Sequence, residues 1–135
     1  MTSNLYRFNV AILSTSEEVA GTIARALDDS CCDIVLIHDG EELITTLRRH
    51  HLDLIIIVVT DYSKSDATLY NLVKWLHLAG IDIFVITSHH SVRHTMHLLA
   101  TGVRQCLTMP LPLERLRRKV FDHLAAKQRH RASIS

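Results

Sequence analysis

At 135 residues, with 47% hydrophobic side chains and a formal net charge of +1, the chain has the material for one ordinary globular core and no room for a second. No apolar run reaches the ~20 residues needed to cross a bilayer, and the opening MTSNLYRFN lacks the charged start and long apolar stretch of a secretory signal, so a soluble cytoplasmic protein with no membrane partner is expected. Cys31, Cys32 and Cys106 show neither metal-ligand spacing nor an even-numbered disulfide framework, and read as small core-filling residues in a reducing compartment.

Five apolar runs alternate with amphipathic segments. Asn9 to Leu13 is the first strand candidate, followed by Val19, Ile23, Ala26 and Leu27 at helical spacing, with Thr15 and Glu18 at capping-box distance before them. Asp33 to Ile37 leads through the turn at Asp39-Gly40 into a helix carrying Leu43, Ile44 and Leu47. Leu54 to Val59 is an almost unbroken β-branched run, as a strand buried on both faces requires. Its helix carries Leu69, Leu72, Val73 and Leu76, with Trp75 beside the stripe as a core-edge residue and Gly80 in the place of a left-handed cap. Ile83 to Thr87 precedes Val92, Met96, Leu99 and Ala100, a stripe ended the same way by Gly102. Gln105 to Leu107 precedes Leu113, Leu116, Val120 and Leu124 behind the first-turn Pro112. This order predicts an α/β fold, a (βα)5 doubly wound five-stranded parallel sheet in a three-layer sandwich, with its site at the carboxyl ends of the strands. The domain is expected over residues 1–126, leaving 127–135 as a frayed basic tail or truncated linker.

Four local matches, in order and at matching separations, carry a resemblance to a known family: Ile12-Leu13-Ser14-Thr15-Ser16-Glu17-Glu18, Leu52-Asp53-Leu54-Ile55-Ile56-Ile57-Val58, Ile86-Thr87-Ser88, and Gly102 through Pro110. From about Phe8 to Ala126 the chain resembles the receiver domain of bacterial response regulators, which implies a flavodoxin-like, receiver-like sheet. Receivers accept a phosphoryl group on an aspartate after the third strand, with Mg²⁺ held by an acidic pair, a Thr or Ser after the fourth strand and a Lys after the fifth. The resemblance places the acidic pair on Ser14 and Thr15, the acceptor on Val58, the hydroxyl on Thr87 and the lysine on Met109, whose bond to Pro110 is cis in this family. Only Thr87 keeps its type. Because acids and lysine are lost together, no unpaired charge is left in the pocket, valine has no nucleophilic atom, and hydroxyls are poor ligands for a hard cation. The expectation is a pseudo-receiver: no enzyme, no cofactor, no resident metal, and signalling by protein interaction, with switching at an unusual residue or by a small ligand or metal as the alternative. Asp61, placed by strand alternation on the opposite side from Val58, reads as a loop or capping aspartate.

Residues 1–82 carry six basic against twelve acidic side chains, whereas residues 83–135 carry nine against two. A basic interaction surface is therefore expected from Arg93, Arg104, Arg115, Arg117 and Arg118, facing a protein partner, an attached output domain or the acidic half of a second copy. Direct nucleic-acid binding is not expected, since aromatic platforms are lacking. His90, His94 and His97 fall at i, i+4 and i+7 near His89, but no acid or Cys lies between Phe84 and Thr101, so a solvated or pH-sensitive face is expected in preference to a metal site.

Overall fold

A computed structural model of the chain describes residues 7–28, 32–59, 66–88, 91–110 and 112–134. Its elements alternate as the apolar runs predict: β1 (Phe8–Leu13), α1 (Glu17–Leu27), β2 (Cys32–Ile37), α2 (Gly40–Arg49), β3 (Leu54–Val59), α3 (Asp66–Leu78), β4 (Asp82–Thr87), α4 (Val92–Thr101), β5 (Gln105–Thr108) and α5 (Leu113–Ile134). The strands form one parallel sheet in the order β2-β1-β3-β4-β5. The doubly wound (βα)5 expectation is met.

Strand alternation divides the interior into two cores. Val10, Ile12, Leu54, Ile56, Val58, Phe84, Ile86 and Leu107 point to one face, where α1 covers them with Ala20, Ile23 and Leu27, and α5 with Leu116, Val120 and Leu124. Ala11, Ile55, Ile57, Ile83 and Val85 point to the other, under Leu43 of α2, Val73 and Leu76 of α3, and Leu98 of α4. Both faces of β3 and β4 are thus dry, which is why their sequences are continuously apolar.

Three local expectations are corrected. The α1 cap is Ser16, whose side chain accepts from the Val19 amide, and not Thr15, which is exposed. In α4 the buried residues are His94 and Leu98, whereas Val92 is 77% and Met96 64% exposed. At the helix end Gly102, at φ 128°, donates to the Leu99 and Leu98 carbonyls and Val103 donates to the Leu98 carbonyl, the paired hydrogen bonds of a glycine-terminated helix, which bring Leu98 and Val103 together. Finally, residues 127–134 are not a frayed tail. They continue α5, giving a helix about 33 Å long.

That extension is held by acids at the amino ends of the strands. Asp53, buried just before β3, takes a hydrogen bond from Arg131 on one carboxylate oxygen and one from the Asn9 amide (2.9 Å) on the other, while its carbonyl accepts from Lys127 Nζ (3.0 Å). Asp82, opening β4, meets His123 Nε2 at 2.9 Å, Lys127 Nζ at 3.0 Å and Arg104 Nε at 3.7 Å. The hydrogen bond with His123 holds the Asp82 carboxyl well below the usual carboxylate range, outweighing the burial that pushes it up, and Lys127 adds to the effect.

Candidate functional site

The strand order reverses between β1 and its two neighbours, β2 and β3, so the crevice of this sheet opens at their carboxyl ends. Leu13 pairs with Ile57, making Ser14 and Val58 the next residues on adjoining strands. Val58 pairs with Ile86, Val59 with Thr87 and Thr87 with Thr108, and the Met109 amide donates to the Thr87 carbonyl at 2.8 Å. The five positions Ser14, Thr15, Val58, Thr87 and Met109 therefore gather around one end of the sheet.

What they present there is almost wholly uncharged and largely used up. Ser14 is buried; its hydroxyl donates to the Ser16 carbonyl (3.2 Å) and accepts from the Ser16 amide (3.1 Å), while its own amide donates to the Ile37 carbonyl. It braces the turn that leads into the α1 cap. Thr15 is exposed, and Val58 is 7% exposed within the core cluster that contains Ile86 and Leu107 and against which Met109 packs. Thr87 is fully buried with its hydroxyl hydrogen-bonded, as a polar group removed from water requires. The Met109-Pro110 bond is cis, as the resemblance implied.

This donor set does not fit Mg²⁺, which needs oxygen ligands with carboxylate charge: the position of the acidic pair offers one hydroxyl bound to backbone and one in solvent, and Val58 offers no oxygen. Val58 has no atom that could accept a phosphoryl group. Beside the strand ends, Ile23, Ile86, Met109, Pro110 and Leu116 line an apolar cleft of about 340 Å³ that also touches Glu18 and Thr22.

The remaining expectations fall in different places. Asp61, His89, His90 and Cys31 lie outside the described residues. His94 is buried with Nδ1 2.7 Å from the Tyr70 hydroxyl, and the His97 ring lies 4.0 Å from the Tyr70 ring, so both imidazoles pack on α3. Among the described residues no three His, Cys, Asp or Glu side chains converge as a metal site. Cys32 is buried; the Cys106 thiol, 3.8 Å from the Thr95 hydroxyl, has its pKa raised by burial.

The five arginines do not share one face. Arg117 donates to the Ala26 carbonyl at the end of α1 (2.8 Å) and lies 4.6 Å from the Phe121 ring centroid, because positions 117 and 121 are one turn apart on the side of α5 that meets α1. Arg104 is held near Asp82, while Arg93, Arg115 and Arg118 are exposed. The bonds of His123, Lys127 and Arg131 were missed by the sequence reading: their i, i+4, i+8 spacing puts them on one helix face, but only the fold brings Asp53 and Asp82 to that face.

No protein-family model matches the chain, and no curated protein matches it. Solved structures do. The signal receiver domain of a LuxO repressor protein from Vibrio parahaemolyticus superposes with a TM-score of 0.79 at 21% identity, covering 96% of this chain and 98% of that one. A response regulator from Thermotoga maritima gives 0.77 at 16% identity, over 88% and 98%. A CheY-like response regulator receiver domain protein from Methanospirillum hungatei gives 0.77 at 13%, over 92% and 98%. The fold of this chain is the receiver fold.

Proposed function

We propose that the chain is a pseudo-receiver, a signalling module that works through protein interaction without aspartyl phosphorylation. One observation supports this reading: near the end of β3, at the position the resemblance assigns to the acceptor, Val58 belongs to an apolar cluster with Ile86 and Leu107, against which Met109 packs, within a receiver fold. Arg93, Arg115 and Arg118, with Arg104 beside Asp82, are the basic groups proposed to meet an acidic partner, either a separate protein or an attached output domain.

The test is incubation with acetyl phosphate and Mg²⁺, followed by mass spectrometry of the intact chain. No added phosphate is expected; stoichiometric, hydroxylamine-sensitive phosphate overturns the reading. A second reading, switching by a small ligand, has its own observation in the 340 Å³ cleft between α1 and α5, a volume that suits a small apolar molecule. Ligand-dependent melting across a panel of such molecules separates the two.

A further inference from the structure

We propose that the groove between the carboxyl end of α2 and the carboxyl end of α3 is a docking site for an acidic protein segment that carries an apolar anchor. The groove encloses about 600 Å³ and is lined by Ile44, Leu47, Arg48, Arg49, Trp75 and Ile81, with the histidines His50 and His51 and no acidic residue. Ile44 and Trp75 are each 48% exposed. Arg48 and Arg49 are exposed and make no ion pair among the described residues.

The position of these cations is unusual for this chain. They lie in the half that carries −6, where only six basic side chains occur, yet two of the six, with two histidines following, line this one groove. The negative end of the α2 dipole accounts for Arg48 and Arg49 by itself, but it does not account for two large apolar side chains left half in water beside them. An occupant that is both acidic and apolar accounts for both features, and Trp and Arg are the residues that most often dominate protein interfaces. A nucleic acid fits less well. Trp75 is the one Phe, Tyr or Trp side chain lining the groove, where successive bases need successive platforms along a basic track.

The site is independent of the degenerate pocket. Leu52, just before β3, and Ile81, just before β4, line the groove, so it opens at the amino ends of strands whose carboxyl ends hold Val58 and Thr87. It is also distinct from the surface of Arg93, Arg115 and Arg118.

Trp75 is the one tryptophan of the sequence, so its emission reports the groove directly. The probe is a synthetic tryptophan-free peptide in which Asp and Glu flank a Leu-Phe pair. Its controls are a polyglutamate peptide, the same peptide with Lys for each acid, and a single-stranded oligonucleotide. A saturable blue shift is expected with the acidic apolar peptide, weakened by salt, reduced about tenfold in affinity by Arg48→Ser with Arg49→Ser, and unchanged by Arg93→Ser with Arg118→Ser. Ile44→Ser, an exposed change, is expected to weaken it as well. No saturable shift, equal binding of the lysine peptide, indifference to both groove variants, or tighter binding of the oligonucleotide overturns the proposal, and none of these outcomes bears on whether an aspartate is phosphorylated.

Discussion

Val58 concentrates the argument about chemistry. Its side chain is packed among Ile86, Leu107 and Met109, so a carboxylate put there has lost water without gaining a cation. Val58→Asp is expected to lower stability by about 2–4 kcal/mol near neutral pH without conferring phosphorylation. Burial raises the folded-state pKa of the new acid above its unfolded value of about 3.9, so the folded state binds the extra proton and the deficit grows as pH rises through that window. Urea melts of wild type and variant at pH 5 and pH 8 measure it; a smaller deficit at pH 8 than at pH 5 contradicts the burial argument. Asp82 has the opposite sign. Its pKa is lowered in the fold, so its contribution is complete above about pH 3.9 and fades as acidification proceeds toward the folded value. Asp82→Asn is expected to cost about 1–3 kcal/mol at neutral pH and progressively less as pH falls below about 3.9, read from urea melts at neutral pH and in a series below that value.

Two helices end on glycine, and the two ends differ in a way that can be measured. Gly80, at φ 81°, has open space where a Cβ would stand, whereas at Gly102, φ 128°, that Cβ would lie 2.5 Å from Cγ of His77. Gly80→Ala therefore carries backbone strain alone, about 1 kcal/mol, and Gly102→Ala is expected to cost about 1–3 kcal/mol more because α3 and α4 must separate. Calorimetry ranks them, and adding His77→Ala to Gly102→Ala should recover the steric part and leave the strain. The end of α5 offers a larger effect. Stopping the chain after Ala126 removes the Lys127 bond to the Asp53 carbonyl and the Arg131 bond to its carboxylate, so a loss of about 1–3 kcal/mol is expected, with Asp53→Asn in the shortened chain restoring part of it. A shortened chain as stable as the whole one would make the last two turns of α5 dispensable.

Across the whole molecule, the two cores build the receiver fold, and Ser14, Thr15, Val58 and Met109 carry no formal charge. Since no carboxylate cluster at Ser14, Thr15 and Val58 needs screening, the melting temperature is expected to be the same in EDTA and in millimolar Mg²⁺; a shift of several degrees would locate a metal site these residues do not form. The surface is patterned more finely than its two halves suggest. Arg117, Lys127 and Arg131 of the basic half are spent on internal bonds to Ala26, Asp82 and Asp53, while Arg48 and Arg49 of the acidic half remain exposed in a groove.

The alternation of apolar runs and amphipathic stripes was enough for the element order and the parallel sheet, because a strand buried on both faces cannot be written without a continuous apolar run. That Ser14, Thr15, Val58 and Met109 stand where the resemblance puts the acidic pair, the acceptor and the lysine was likewise an expectation read from local motifs, residue by residue. Which face a helix turns inward was another matter. In α4 the apolar stripe of Val92, Met96 and Leu99 stays largely exposed, and the buried positions are His94, beside Tyr70, and Leu98. The extent of α5 was hidden for a related reason: a run of basic residues looks solvated until Asp53 and Asp82, distant in sequence, are folded beneath it. Periodicity reports how much apolar surface an element must bury, whereas the partners of a polar side chain are long-range contacts that a linear pattern does not contain.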